Sequence, residues 1–145
     1  MAKMIFVNLP VADVARATAF YEAIGFEKNA DFSNEVASSM VWSDTITVML
    51  LGKEFYSTFT SKRIIDAKTE TGVLLCLSFD SRADVDRFTQ AALDAGGRET
   101  REPQDMRFMY GRAFEDLDGH TYEPMWMDAS GPEIIAEQNA QPAVA

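Results

Sequence analysis

The stretch Tyr110–Trp126, YGRAFEDLDGHTYEPMW, decides the fold of this chain. Two runs with strand character, Arg107–Glu115 and His120–Met127, flank the segment DLDG at 116–119. Asp-Gly directly before an alternating run indicates a β-hairpin, because glycine tolerates the positive φ that a tight connection needs. The second strand carries Glu123 among apolar neighbours, and a carboxylate in such a place needs a partner if it is buried. The identity of that partner bears directly on function.

Length and composition restrict the classes of protein to which this chain can belong. Its 145 residues suffice for one domain. A hydrophobic fraction of 47% with 25% charged residues is typical of a folded globular chain. The formal net charge of −10 argues against nucleic acids and anionic membranes as partners, because both attract positive charge.

The expected compartment follows from the apolar runs and the cysteine content. No run approaches the about eighteen apolar residues of a membrane span, and the N-terminal MAKMIFVNLP lacks the pattern of a signal peptide. The single cysteine, Cys76, excludes a disulfide within the chain and suits a reducing compartment. Cys76 lies in an apolar run without a basic neighbour, which predicts a buried and unreactive thiol. We therefore expect a cytoplasmic protein.

The first half of the chain is predicted to fold as a strand, a helix and three further strands. Met4–Leu9 is an almost continuous apolar run, and Asp13–Ala23 shows helical periodicity. Phe26–Asp31 is a weak strand. A hairpin is expected from Val36–Trp42 and Thr45–Leu51, which flank the turn signal Ser-Asp.

The second half repeats this order. Val73–Phe79 is an apolar strand, a helix is expected between a capping Ser81 and Ala95, and Arg98–Glu102 is an edge strand before the hairpin described above. The two helices align with a constant offset, since Asp13 and Asp84 lie 71 residues apart. Their terminal glycines, 25 and 96, have the same offset. The chain is therefore predicted to be an internal βαβββ repeat.

These elements define the predicted domain organisation. One domain spans residues 1–127, with a first module at 3–52, a linker at 53–71 and a second module at 72–127. The linker is longer than a plain connection, which suggests a lid or a partner surface, and we expect one short helical turn at Ser61–Ala67. Residues 128–145 form a C-terminal tail that we expect to be partly disordered or laid on a partner, with a short helix at Glu133–Gln138.

Two stretches carry a resemblance to a known family. LPVADVARATAFYEAIGFE (9–27) and FEDLDGHTYEPMW (114–126), each at its proper place in the repeat, resemble the vicinal oxygen chelate superfamily. That superfamily includes glyoxalase I, bleomycin-resistance proteins, fosfomycin-resistance transferases and extradiol dioxygenases. The resemblance covers residues 4–127. It implies an α+β fold of the glyoxalase/bleomycin-resistance/dihydroxybiphenyl dioxygenase type, in which two βαβββ modules form a half-open curled sheet, a cup, often completed across a dimer.

The resemblance also implies where a metal would bind. Metal-dependent members hold a divalent ion with one side chain from the first and the last strand of each module, and these positions correspond here to Phe6, Met49, Leu74 and Glu123. Only Glu123 offers a donor suited to a hard divalent ion, and Asn8 adds one amide oxygen at most. We therefore predict no metal site and no cofactor.

Strand alternation predicts which side chains share the face of Glu123. His120 has the parity of Tyr122, opposite Glu123, and is expected to be a polar turn residue. An aromatic and Met-rich set with few polar groups is typical of a small-molecule site, although the same residues can fill a small core. The predicted ligand-binding pocket consists of Phe6, Asn8, Met40, Trp42, Met49, Leu74, Arg107, Tyr110, Arg112, Glu123 and Met125.

Glu123 has two interpretations. Paired with Arg107 or Arg112 it forms a structural ion pair, which is the commoner arrangement. Buried without a cation it has a raised pKa and is a candidate catalytic acid or base.

Two hypotheses of function follow from these assignments. The missing ligands favour a metal-free binding module for a small molecule. The alternative is a lactoylglutathione-lyase-like or extradiol-dioxygenase-like enzyme with an atypical site around Glu123, Asn8 and Tyr110 or Tyr122. A homodimer is expected in either case, because half-open sheets leave edges that a second copy covers.

Overall fold

A computed structural model describes residues 2–140 of the chain. The elements of the first half are β1 (Ile5–Val11), α1 (Val14–Ala23), β2 (Glu27–Lys28), a 3₁₀ turn (Ala30–Phe32), β3 (Ala37–Val41) and β4 (Ile46–Gly52). The linker begins with α2 (Lys53–Tyr56) and a second 3₁₀ turn (Ser57–Phe59).

The second half contains more, and shorter, strands. Its elements are β5 (Leu74–Phe79), α3 (Arg82–Asp94), β6 (Arg98–Glu99), β7 (Gln104–Met106), β8 (Met109–Gly111), β9 (Phe114–Glu115), β10 (Thr121–Met127) and the C-terminal helix α4 (Gly131–Ala140).

The two halves build separate sheets with the same connectivity. The first sheet has the order β1–β4–β3–β2. In the second sheet, β10 pairs with β5 on one edge, and with β8 and β9 on the other, where β7 and β6 extend the sheet. In each half the first strand runs parallel to the last, β1 to β4 and β5 to β10. The predicted α+β fold of two βαβββ modules is confirmed.

The two long helices begin and end at equivalent residues, as the repeat predicts. The Asp13 carboxylate accepts a hydrogen bond from the Arg16 backbone N–H at 3.0 Å, and the Ser81 hydroxyl accepts one from the Asp84 N–H at 3.1 Å. Each such cap stabilises a helix by about 1 kcal/mol. Gly25 and Gly96 follow the helices with φ of 109° and 105°, the left-handed conformation that stops a helix.

One core joins both halves. Tyr21 of α1 packs edge-on against Phe26 at 5.1 Å and against Tyr122 of β10 at 5.9 Å between ring centroids. Phe88 of α3 contacts Phe114 at 5.4 Å. All five rings are at least 95% buried, since their exposed fractions are 5% or less. Aromatic pairs in these geometries add about 0.5–1.5 kcal/mol to the burial of their area, so the two modules stabilise each other.

The DLDG turn docks the second module onto the first. Asp116 is buried and accepts hydrogen bonds from the backbone N–H groups of Asp118 and His120 and from the Tyr21 hydroxyl at 2.6 Å. Asp118 accepts one from the Ala12 N–H at 2.9 Å. The hairpin predicted at 116–119 is therefore present, and its acidic residues also hold the junction between modules.

The linker differs from the prediction. The expected helical turn at Ser61–Ala67 is absent from the described residues, and the helical segments lie earlier, at Lys53–Tyr56 and Ser57–Phe59. In place of a helix, Asp66 organises a turn by accepting hydrogen bonds from Lys68, Thr69 and Glu70 N–H groups. β-Branched Ile64 and Ile65, just before it, do not favour an isolated helical turn.

The edge strands and the tail also refine the prediction. The expected strand Arg98–Glu102 is limited to Arg98–Glu99, and Arg107–Glu115 is divided into β8 and β9. The expected helix Glu133–Gln138 lies within α4, while residues 141–145 of the tail lie outside the described residues. None of the helices within 2–140 combines the length and apolar character needed to cross a bilayer.

Candidate functional site

The strand register defines the side chains on the outward face of the first sheet. Asn8 of β1 lies opposite Met49 of β4, and Phe6 lies opposite Thr47. Phe6 is 56% exposed, whereas Leu9, on the other face of β1, is 4% exposed and belongs to the core. The outward face thus carries Phe6, Asn8 and Met49 together, as the alternation predicts.

The second sheet presents an equivalent face. Glu123 of β10 lies opposite Cys76 of β5, and Met125 lies opposite Ser78. Leu74, on the same face, is 54% exposed. We call these two outward faces, with Phe6, Asn8 and Met49 from one sheet and Leu74, Cys76, Glu123 and Met125 from the other, the cup face.

Glu123 is paired with a cation that the sequence argument did not name. Its carboxylate Oε2 accepts a hydrogen bond from Arg101 Nη2 at 2.8 Å, and the two side chains are 26% and 32% exposed. The ion-pair interpretation of Glu123 is therefore correct, but neither Arg107 nor Arg112 is the partner. Arg101 Nη1 is buried and has no hydrogen-bond partner among the described residues.

A geometric signal for Arg101 was present in the sequence. The predicted edge strand Arg98–Glu102 must lie beside the run 107–115, which in turn lies beside β10. An arginine side chain is long enough to reach across one intervening strand, and Arg101, two residues after the end of β6, does so here.

Arg112 and Tyr110, both predicted for the pocket, lie on the α3 side of the sheet instead. Arg112 pairs with Glu99 at 2.8 Å and with Asp86 of α3 at 3.0 Å. The Tyr110 hydroxyl donates to the same Asp86 carboxylate at 2.6 Å. Tyr110 is opposite Trp126 in the register, whereas Gly111 is opposite Met125. Met109 and Gly111 of β8 therefore share the cup face with Met125, because α3 covers the opposite face, which carries Tyr110.

Met40, Trp42 and Arg107 are also placed elsewhere. Met40 is opposite Val48 on the core face and fully buried, and Trp42 packs on Phe79 and Phe88 at 5.7 Å and 5.2 Å. Both residues complete the shared core because β3 presents its even positions to the helices. Arg107 lies between β7 and β8 and lines a separate cavity beside α4.

Cys76 is exposed, so the prediction of a buried thiol is wrong. The run 74–79 is apolar at nearly every position, but only Leu75, Leu77 and Phe79 pack against the core. Partial burial and the negative charge of Glu123 raise the pKa of the Cys76 thiol, and Arg101 only partly opposes this. The thiol therefore remains protonated near neutral pH and is a poor nucleophile.

Two tyrosines and the histidine near the turn have structural partners. The Tyr122 hydroxyl donates to the Tyr21 hydroxyl at 2.9 Å inside the core, and burial raises the pKa of Tyr122 well above its ordinary value. His120 lies 2.7 Å from the Pro10 carbonyl oxygen through Nε2. Because a carbonyl only accepts, Nε2 is the donor, which makes His120 a polar turn residue as predicted.

The cup face does not provide the ligands of a divalent metal. Of the four positions implied by the resemblance, Phe6, Met49 and Leu74 offer no hard donor, and Glu123 is already neutralised by Arg101. Within residues 2–140, no three His, Cys, Asp or Glu side chains come together as a metal-binding group. The donor set therefore does not fit the metal of the metal-dependent relatives.

Comparison with known proteins agrees with this architecture. The family described as bleomycin resistance protein-like N-terminal matches residues 3–38. No curated protein matches the sequence. Among solved structures, the hypothetical protein SA1046 from S. aureus covers 87% of this chain and 95% of its own, with 25% identity and a TM-score of 0.74. The match of residues 3–38 supports the resemblance to the vicinal oxygen chelate superfamily.

Two further structures share the fold of this chain. A glyoxalase/bleomycin resistance protein/dioxygenase family enzyme from Burkholderia phytofirmans PsJN covers 87% of this chain and 99% of its own, with 18% identity and a TM-score of 0.70. A glyoxalase-related enzyme from Fulvimarina pelagi covers 87% and 88%, with 15% identity and a TM-score of 0.71. At such identities the likeness establishes the fold, and function must be argued from the site.

Proposed function

We propose that this vicinal oxygen chelate protein is a metal-free, cytoplasmic binding protein that holds a small molecule against its cup face. The observation that carries the proposal is the Arg101–Glu123 ion pair at 2.8 Å. A guanidinium occupies the place next to Glu123 that a divalent cation would need. To bind a metal, the carboxylate would have to give up a charge-assisted hydrogen bond for a site without other hard donors.

The surroundings of this pair support ligand binding. Phe6 and Leu74 are more than half exposed, and Met49 and Met125 are half-buried on the same faces. Methionine side chains adapt their shape to varied apolar ligands. The buried Nη1 of Arg101 adds a donor with no partner in the described part of the chain, which suits a ligand with an oxygen acceptor.

The enzyme alternative finds less support in the geometry. Of the side chains considered for an atypical site, Tyr110 and Tyr122 point away from Glu123, and only Asn8 remains on the cup face. A lyase-like or dioxygenase-like reaction would therefore rely on Glu123 and Asn8 alone.

We further propose that the protein is a homodimer. β1 pairs only with β4, and β5 only with β10, so each of the two strands leaves one edge open among the described residues. Ile5, Phe6, Val73 and Leu74 are each more than half exposed along these edges. A second copy would pair the edges and cover the apolar side chains.

Elemental analysis and methyl NMR together test the binding function. Purified protein offered Zn, Ni, Mn and Fe(II), then dialysed, should retain far less than one metal per chain. A panel of small apolar ligands should shift the methyl signals of Met49 and Met125, while Met40, fully buried in the core, serves as an internal control. About one tightly held metal per chain, or ligands that shift all three signals equally, would contradict the proposal.

A further inference from the structure

A cavity of about 330 Å³ lies between the linker and the two sheets, and it differs from the surroundings of Glu123. Linker residues form one wall, and Asn8 of β1 and Thr121 of β10 lie on the opposite wall. Neither Glu123 nor Arg101 lines it. Its volume is within the range of about 300–1,000 Å³ that small-molecule sites occupy.

The cavity concentrates positive charge in an otherwise acidic protein. Lys62 and Arg63 both line it, and neither makes an ion pair with another residue in the range 2–140. Glu70 is also in the wall, but its Oε1 accepts a hydrogen bond from the Asp66 N–H at 3.1 Å and stabilises the turn of the linker. On a chain with a net charge of −10, two cations without a partner create a local field that attracts anions.

The rest of the wall is mainly apolar. Ile64 and Ile65 of the linker, Val73 and Leu9 surround the cavity, and Tyr56 adds an aromatic ring. Apolar walls with a few charged groups at one side recognise a ligand that has an apolar body and a charged group at one end. A free inorganic anion would leave these walls uncovered.

We propose that this linker cavity binds a small organic anion, a carboxylate on an apolar or aromatic frame, with Lys62 and Arg63 as its anion-binding side chains. Arg63 can hold a carboxylate through two parallel N–H groups, and Lys62 adds a point charge. The cavity borders the cup face at Asn8 and Thr121, but its proposed anion-binding side chains belong to the linker, so the proposal does not depend on the Arg101–Glu123 pair.

The linker is built to admit such a ligand. All hydrogen bonds that residues 60–71 make within the described chain stay inside that segment. The segment is held to the modules by packing, and the backbone of Ala67 and Lys68 lies directly against Gly119. A cover with no hydrogen bonds to its surroundings opens at small energetic cost.

Titration with 2-naphthoate, followed by ¹H–¹⁵N NMR, tests the proposal. We expect saturable shifts at Lys62, Arg63, Val73 and Thr121, and weaker or absent binding of the neutral analogue 2-naphthamide. Lys62→Ala/Arg63→Ala should weaken 2-naphthoate binding roughly tenfold or more, since hydrogen bonds to charged groups are strong. Lys3→Ala/Lys28→Ala, which removes the same charge at two exposed lysines elsewhere, should leave binding within about twofold.

Three outcomes would overturn the linker site. Equal binding of the acid and the amide would remove the role of the cations, and so would equal weakening by both double variants. Shifts confined to Cys76, Glu123 and Met125 would place the ligand on the cup face, which supports the proposed function and refutes the linker cavity. No saturable binding up to about 10 mM would refute it as well.

Discussion

Glu123 has a partner in an otherwise apolar strand, because Arg101 reaches its carboxylate from across the sheet at 2.8 Å. The Arg101 side chain is 32% exposed and the Glu123 side chain 26% exposed, so water also solvates the pair. A partly exposed pair contributes little net stability, because solvent screens its attraction. Its main effect is on the chemistry of the cup face, because a Glu123 carboxylate that is paired with Arg101 is less available as a metal ligand.

Glu123→Gln should leave the fold intact and lower the free energy of unfolding by about 1 kcal/mol or less. The amide oxygen of glutamine can still accept a hydrogen bond from Arg101. Urea denaturation followed by fluorescence measures the difference, with Asp105→Asn, which removes the exposed partner of Arg82, as a matched control. A loss above about 3 kcal/mol would mean that the pair behaves as a fully buried one.

Asp116 is a charge of a different kind, because it lies inside the junction between modules. Burial raises the pKa of Asp116, although the charge of His120 and the hydrogen bonds from Tyr21, Asp118 and His120 act in the opposite direction. The folded state therefore binds a proton at this carboxyl more readily than the unfolded chain. The contribution of Asp116 to stability is fully present below the unfolded pKa of about 3.9 and is lost as pH rises through the higher folded pKa.

The pH dependence of the free energy of unfolding, compared between the wild type and Asp116→Asn, tests whether the Asp116 pKa is raised in the folded state. The free energy of unfolding of the wild type minus that of the variant should fall as pH rises above about 4. Urea denaturation at a series of pH values between about 4 and 7 gives this difference. The contributions of the other carboxylates are common to both proteins and therefore cancel. Tyr21→Phe, which removes a hydrogen bond that lowers the Asp116 pKa, should move the fall to higher pH. A difference that is constant, or that rises with pH, would refute the assignment.

At the scale of elements, the turn after β9 and the linker form one contact. Gly119 has φ of 92°, and a Cβ at this position would lie 2.6 Å from the backbone carbon of Ala67 and 2.6 Å from the nitrogen of Lys68. Glycine therefore serves two purposes here: it permits the turn, and it lets the linker lie directly on it.

Gly119→Ala should displace the linker and lower the free energy of unfolding by about 1–3 kcal/mol through backbone strain. Trypsin measures the displacement, because Lys62, Arg63 and Lys68 are its cleavage sites within residues 60–71 of the linker. Cleavage there should accelerate in the variant. Gly111→Ala, whose added Cβ would meet its nearest atom at 3.6 Å, is the control, and equal cleavage of both variants would contradict the role of Gly119.

Elements with a local signal could be predicted from the sequence, whereas those that depend on distant packing could not. The caps Asp13 and Ser81 and the glycines after both helices identify α1 and α3, because these signals act within a few residues. The sequence could not show which side chains of β3 and β8 face the helices, because the positions of α1 and α3 decide which face of each sheet is covered. For the same reason Met40 and Tyr110 were expected on the wrong face. Arg101 was missed as the partner of Glu123 because Arg107 and Arg112 lie closer to Glu123 in the sequence.

At the scale of the whole molecule, the open edges of β1 and β5 combine unpaired backbone groups with exposed apolar side chains. Unpaired edges of this kind are rarely left uncovered in native proteins. The proposed dimer would cover both in a single symmetric interface.

Phe6→Lys/Leu74→Lys should convert a dimer into a monomer, because two buried cations at an apolar interface are not tolerated. Sedimentation equilibrium of the wild type and the variant measures the change. Phe32→Lys/Phe59→Lys, which replaces two side chains 70% and 67% exposed outside the two edges, should remain dimeric. A monomeric wild type would refute the dimer, and a dimer that persists in the edge variant would place the interface elsewhere.

The way in which the modules are joined has a consequence for how this protein can evolve. Asp116, Asp118 and the aromatic rings of the shared core bind one half to the other without help from residues 60–71. Fragments 1–59 and 72–145, synthesised separately, should therefore find each other and reassemble. The linker is then not required to hold the modules together, so its sequence can change with less effect on their association than changes at Asp116 or in the shared core. New binding specificity can thus arise through sequence changes in residues 60–71 while the rest of the molecule stays unchanged.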